Sequence, residues 1–194
     1  DAFESYEANV GEIGVNLERL SDVVGFGSSG KLVQLELDRA TRKLHVTVGV
    51  LDYTLALIDP DTIRQEPEMT DHGLPLRAVL QGQELGTMVE AADMVADHVA
   101  LGGDLEDRAL YSDAQGDTDD ATVTYAQADL IDYEGADVHS LFSLDYLKDM
   151  SGAIPDDAEV TIRLGDSMPA RMDYALAKGR ASVRYQLAPR IQEG

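Results

Sequence analysis

The stretch Gly25-Phe-Gly-Ser-Ser-Gly-Lys31 comes within one residue of a phosphate-binding loop. Such a loop needs a hydroxyl after its lysine to hold magnesium, and it lies between a strand and a following helix so that the helix amides face the phosphate. Here Leu32 follows the lysine, helical spacing precedes the glycines and strand spacing follows them. The stretch reads as the turn that ends a helix. His45, His72, His98 and His139 stand far apart, and none has the spacing of a two-histidine metal pair. Asp117-Thr-Asp-Asp120 offers carboxylates without the spaced ligands and terminal glutamate of a calcium loop, and reads as an acidic hairpin tip. No Ser-His-Asp grouping is supported, and carboxylates are so abundant that no pair singles itself out as acid and base. The sequence thus offers no catalytic residue, no metal site and no cofactor site. A hydrolase built on carboxylates would require a deep pocket holding carboxyl groups with raised pKa.

Composition narrows the classes further. With no cysteine among 194 residues there is no disulfide framework, thiolate zinc site or thiol nucleophile. The 37 acids against 15 bases give a net charge of -22, spread along the chain, and lysine supplies few of the bases. Such a coat self-repels in dilute buffer. In molar salt the Debye length falls to about 3 Å and the repulsion vanishes, so the composition suits a saline cytosol. On charge alone a DNA partner is disfavoured, because phosphate binding ordinarily uses a basic surface. No run approaches eighteen consecutive apolar residues and no basic, apolar leader opens the sequence, so the expected location is cytoplasmic with no membrane contact.

Self-similarity is the most informative feature. A shift of 127 positions lays Phe3, Tyr6 and Glu7 on Leu130, Tyr133 and Glu134. The same shift lays the segment from Asn16 to Val23 on that from Ser143 to Met150, and Val33, Leu35 and Leu37 on Val160, Ile162 and Leu164. Small loop insertions then move the match, with Leu44 laid on Met172, and Leu51, Leu55 and Leu57 on Ala181, Tyr185 and Leu187. Each copy reads as a strand, a polar cap, a short helix and three strands.

The second copy carries a prelude: a strand at 76–80, a helix at 81–97 with Leu85, Met88, Val89, Ala92 and Ala96 on one face, and strands near 98–101, 108–111 and 122–126. Nothing comparable precedes Asp1, so the first copy reads as a unit without its front half. Between the copies, residues 59–75 hold Pro60, Pro67, Pro75 and Gly73 without helical or strand periodicity, and read as an extended surface connector.

Seven segments carry a family resemblance: Gly14-Val-Asn-Leu17; Leu51-Asp-Tyr-Thr-Leu-Ala-Leu-Ile-Asp59 with Ile63-Arg-Gln-Glu-Pro67; Ala91-Ala-Asp-Met94 with Asp97-His98; Phe142-Ser-Leu-Asp-Tyr-Leu-Lys148; and the terminal Tyr185-Gln-Leu-Ala-Pro-Arg-Ile191. The sequence resembles the DNA sliding clamps of the proliferating cell nuclear antigen family, most closely their haloarchaeal branch, over essentially its whole length. The resemblance implies an α+β fold: a duplicated DNA-clamp fold with antiparallel sheets outside and short helices lining an inner concave face. It implies a partial N-terminal clamp domain at 1–59, an interdomain connector at 60–75 and a complete C-terminal domain at 76–194.

The resemblance also implies a non-enzymatic function. Three subunits close a homotrimeric ring around duplex DNA, and DNA polymerase, the clamp loader and other proteins dock through short clamp-binding peptides. Matching positions for peptide docking are Ile63, Pro67 and Met69 in the connector, Pro169 in a strand turn, and Leu187, Ala188, Pro189 and Ile191 in the tail. Subunit pairing falls on 51–58 against 122–126, with Tyr53, Leu55, Leu57, Val123 and Tyr125 as the candidate interface residues. The DNA-facing bases are Arg19 and Lys148, outnumbered by Glu18, Asp22, Asp145 and Asp149 on the same pair of helices. The alternative reading is an acidic peptide-binding clamp module that closes no ring.

Overall fold

The computed structural model describes residues 4–8, 11–27, 30–63 and 73–190. They fall into two compact units, a smaller one of Ser5–Glu68 and a larger one of Asp1–Glu4 with Met69–Gly194.

The smaller unit opens with α1 (Leu17–Gly25), where the Asn16 side chain accepts the Arg19 N–H at 3.0 Å and so satisfies one of the free amides of the first turn. Three antiparallel strands follow, β1 (Val33–Asp38), β2 (Lys43–Val48) and β3 (Leu51–Ala56), in that order across one sheet. Apolar residues alternate along β2, and Leu44, Val46 and Val48 meet Val23 of α1 and Leu55 of β3 in a small core. The helix precedes β1, as the order of spacing around Gly25 requires; Ser28 and Ser29 of that glycine-rich stretch lie outside the described residues.

The larger unit contains β4 (Leu76–Gln81), α2 (Gly82–Asp93), β5 (His98–Asp104), β6 (Ala109–Gln115), β7 (Asp120–Ala126), β8 (Asp132–Glu134), β9 (Val138–Ser143), α3 (Leu144–Gly152), β10 (Glu159–Leu164), β11 (Ala170–Leu176) and β12 (Ala181–Leu187). One sheet runs β12-β11-β10-β4-β8 and the other β7-β6-β5-β9, all pairs antiparallel. One core joins both sheets and both helices, centred on Leu76, Leu80, Leu85, Phe142, Leu147 and Ile162.

Helix α2 starts directly from β4. Glu84 accepts the Gln81 N–H at 2.7 Å, and Gly82 is required because a Cβ there would stand 2.2 Å from the Pro155 carbonyl oxygen. The helix ends at Asp93 rather than at the expected position 97, because the chain must turn to bring His98 opposite Ser143 on β9. Strand β5 runs past the expected 101 through Gly102 and Gly103, where Cβ atoms would meet the Tyr111 hydroxyl and Leu76.

The sequence repeat is a structural repeat, with one correction. Helices α1 and α3 coincide at the original shift, and so do β1 and β10. The ladders then fix the rest. Leu35 pairs with Val46 and its counterpart Ile162 with Met172, so Val46 corresponds to Met172 and Leu44 to Ala170. Leu44 pairs with Leu55 and Ala170 with Leu187, so Leu55 corresponds to Leu187, not Tyr185. After the last strand the Ile58 N–H donates to the Gly14 carbonyl at 2.8 Å, and the Arg190 N–H donates to the Leu141 carbonyl at 2.7 Å, closing both copies in the same way. Side-chain likeness misplaced the last two strands because alternation leaves register slips of two residues chemically equivalent.

The copies differ in cover. In the larger unit β10 is flanked by β11 and β4; in the smaller, β1 has β2 on one side and no strand among the described residues on the other. Accordingly Ile162 is 1% exposed and its counterpart Leu35 53%, while Leu144 is 1% exposed and its counterpart Leu17 73%. The strand expected over 1–7 is absent from its described part, residues 4–7; its counterpart β8 exists by pairing with β4.

Candidate functional site

The hairpin turn between β10 and β11 sets the position of Pro169. Ser140 is a buried polar residue on β9, and its hydroxyl donates to the Gly165 carbonyl at 2.8 Å while accepting the Met168 N–H at 3.3 Å. The Asp166 carboxylate accepts the His139 N–H, and the Ser167 N–H donates to the His139 carbonyl. The turn is thereby strapped along β9, with Ser167 held at a positive φ of 53°.

Beside this turn the C-terminal segment leaves β12. Leu187 is buried opposite Ala170, one residue after Pro169, and Ala188 and Pro189 follow it toward the bond between Arg190 and Leu141. Leu74 and Met168 both crowd Gly165, where a Cβ would lie 3.1 Å from Leu74 Cδ2 and 2.8 Å from Met168 Sδ. The structure therefore brings Pro169, Leu187, Ala188 and Pro189 together, and adds Leu74, exposed Met168 and Ser140, which sequence reasoning missed. A serine at an inward position of the alternating run Val138, Ser140, Phe142 was the available signal.

Ile63 belongs to the smaller unit. It follows the turn Pro60–Thr62, donates its N–H to the Pro60 carbonyl at 3.1 Å and lies over Gly14, where a Cβ would meet its Cδ1 at 2.6 Å. Pro67, Met69 and Ile191 lie outside the described residues.

The candidate interface residues lie on two of the sheet edges, β3 beside β2 and β7 beside β6, and neither strand has a partner on its outer side among the described residues. Leu55 is buried, and Tyr53 and Leu57 are half-buried, in the smaller core; Val123 and Tyr125 pack against the larger core, and the Tyr125 hydroxyl donates to the Glu84 carbonyl at 3.4 Å. The five candidate interface side chains thus serve their own cores. What each strand leaves free is its backbone edge, bordered by Asp52, Thr54 and Ala56 on β3 and by Thr122, Thr124 and Ala126 on β7.

The exposed sides of α2 and α3 carry Glu90, Asp93, Asp145 and Asp149 against one base, Lys148. Lys148 Nζ lies 2.7 Å from Asp93 Oδ2, and the hydrogen bond to Asp93, aided by nearby Asp145 and Asp149, holds the ammonium pKa above the usual lysine range. Arg19 is exposed on α1. Among the described residues no group of three or more histidines and carboxylates is placed to hold a metal ion, and no helix is long and apolar enough to cross a membrane.

No protein-family model matches the chain. Curated relatives do. It is 54% identical over 191 residues to the DNA polymerase sliding clamp of Haloarcula marismortui and 55% identical to that of Natronomonas pharaonis, in each case over 98% of this chain and 77% of the relative. Among solved structures, A. fulgidus PCNA bound to the C-terminal region of FEN-1 aligns with 100% of this chain and 78% of that one, at a TM-score of 0.90 and 34% identity. PCNA of Thermococcus kodakaraensis aligns at a TM-score of 0.82 and 25% identity, over 97% of this chain and 77% of that one.

Proposed function

Because the chain belongs to the DNA polymerase sliding clamp family, non-enzymatic processivity factors of DNA replication with the PCNA-like fold, we propose that it works as a homotrimeric ring around duplex DNA. A closed ring cannot leave a duplex sideways, so an attached polymerase stays on its template without any chemistry in this chain. The observation that carries the proposal is the pair of open edges, β3 in one unit and β7 in the other. Antiparallel pairing of β3 with β7 of a neighbouring copy satisfies both rows of free backbone groups and repeats head to tail, the arrangement that closes a ring.

Partner proteins dock by short peptides on Leu187, Ala188 and Pro189 beside Pro169 and Met168, and Ile63, Pro67, Met69 and Ile191 are the further positions that the family resemblance assigns to peptide docking. The likeness to a PCNA bound to the C-terminal region of FEN-1 supports this reading. The clamp loader and DNA polymerase are expected to use it, in the cytoplasm. Contact with DNA is weak: Arg19 and the tied Lys148 face more carboxylates than they can offset, and salt cations bridge acid to phosphate.

Molar mass in molar potassium chloride, by light scattering, tests the ring. Three times 21.0 kDa is the expected mass, together with retention on circular but not on linear duplex. A 21.0 kDa species that still binds a clamp-binding peptide would replace the ring with the acidic peptide-binding module.

A further inference from the structure

Three arginines stand abreast on the solvent side of the five-stranded sheet. Arg77 on β4 is directly opposite Arg163 on β10, and Arg163 is directly opposite Arg171 on β11; Glu134 ends the row on β8 and Gln186 on β12. Like charges facing one another across strands destabilise a sheet unless something compensates them. Arg77 has Asp132, and Arg171 shares Asp173 with Arg184, at 2.7 Å and 2.5 Å. Desolvation alone would raise the Asp173 pKa, yet the two guanidinium groups hold it below the usual carboxylate value. Half-buried Arg163, in the middle of the row, has no ion-pair partner among the described residues.

The fold does not require this row. At the corresponding positions of the smaller unit the ladder sets Glu36 opposite His45 and His45 opposite Thr54, with no arginine. A chain with only 15 bases against 37 acids places three arginines side by side on the larger sheet, and neither position with a counterpart on the smaller sheet, Glu36 or His45, holds one. Next to the row, on the same sheet, an open depression of about 670 Å³ is lined by Arg77, Val79, Thr161, Asp173, Ser182 and Arg184.

We propose that the row is a docking site for an extended, acidic segment of a partner protein, whose carboxylates two residues apart grip Arg163 together with Arg77 or Arg171. Neighbouring strands lie ~4.8 Å apart, so the row spans ~10 Å, while alternate side chains of an extended segment stand ~7 Å apart. Two such carboxylates engage three guanidinium forks. A continuous phosphate chain fits less well, because Asp132, Glu134 and Asp173 lie against the row, whereas an acidic peptide sets its neutral positions over them. Arginine suits a saline setting: long-range fields are screened there, and a two-point fork on a carboxylate survives by direct contact.

Fluorescence anisotropy of a labelled peptide alternating glutamate and valine, titrated with the full chain in molar potassium chloride, tests the site. The peptide binds, and a matched peptide alternating lysine and valine does not. Arg163→Gln weakens binding about tenfold with the melting temperature unchanged, since the side chain holds no other residue. Arg163→Lys keeps the charge, loses the fork and still weakens binding severalfold. Arg108→Gln, outside the row, leaves binding unchanged. Wild-type affinity in both Arg163 variants would overturn the proposal, as would displacement of the peptide by polyphosphate or duplex DNA more readily than by the unlabelled peptide.

Discussion

Asp93 on α2 and Lys148 on α3 form an ion pair, with Nζ 2.7 Å from Oδ2 and both side chains nearly half exposed. The pair ties together two helices that already pack side by side. It also occupies the single base on their exposed sides, so the cation to which the family resemblance gives a DNA-facing role is engaged within the subunit. Exposed pairs of this kind stabilise a fold little, so the pair matters more for which charges are available than for stability.

Asp93→Asn is therefore expected to raise the affinity for duplex DNA at low salt about threefold, and to steepen the dependence of log affinity on log salt by about one unit, the signature of one further phosphate contact. Anisotropy of a labelled duplex across a potassium chloride series measures both. An unchanged slope would mean that Lys148 does not reach DNA even when released.

Ser140→Ala removes the hydroxyl that donates to the Gly165 carbonyl and accepts from the Met168 N–H, leaving that carbonyl only the longer bond from the Met168 N–H at 3.3 Å. A loss of about 0.5–1.5 kcal/mol is expected in urea unfolding, with faster amide exchange in the turn that holds Pro169. Weaker binding of a clamp-binding peptide should accompany it, because Pro169 loses its support. Full stability and full peptide affinity in the variant would show that the hydroxyl holds nothing in place.

The two copies of the folding unit should respond unequally to the same truncation. Ile162→Ala opens a cavity at a side chain 1% exposed and should cost about 2–5 kcal/mol. Leu35→Ala, at the counterpart that is 53% exposed, should cost under about 1.5 kcal/mol. Urea unfolding of both variants in molar potassium chloride compares them, and equal losses would mean that the Leu35 face is covered in solution.

Tyr174 should titrate late. Burial first, and then the hydrogen bond and charge of Tyr185, push its pKa up to about 12. The phenol is favoured in the folded chain and its pKa lies above the unfolded value of about 10. The stability it contributes is thus complete below about pH 10 and is lost as pH rises through about 12. Burial raises Tyr111, Tyr125 and Tyr133 as well, so absorbance titration of the phenolate should be compared with that of Tyr174→Phe to isolate Tyr174, and Tyr185→Phe should move it only part of the way down because burial remains. A Tyr174 that ionises near pH 10 in the folded chain would contradict the geometry.

Much of this was legible in the order of residues. Colinear apolar positions disclosed the repeat, since a duplicated helix must restate its buried stripe to fold: Leu20, then Leu147; a polar residue opens each helix, but Asn16 accepts a capping hydrogen bond and Ser143 does not. Alternation marked β1 and β10, and the order of helix before strand around Gly25 was legible in the spacing. The segments around Leu51, Phe142 and Tyr185 carried the family, and charge carried the saline setting.

Tertiary structure decided what depends on which residues meet across strands and between helices. The register that aligns Leu55 with Leu187 follows from hairpin lengths, which likeness of side chains does not encode. The pairing of Lys148 with Asp93 joins residues 55 positions apart, and the row Arg77, Arg163, Arg171 joins three strands that are scattered in sequence. Sequence spacing governs contacts within one helix or strand, where the backbone repeat fixes distance; between elements, distance is set by packing, and only the folded chain supplies it.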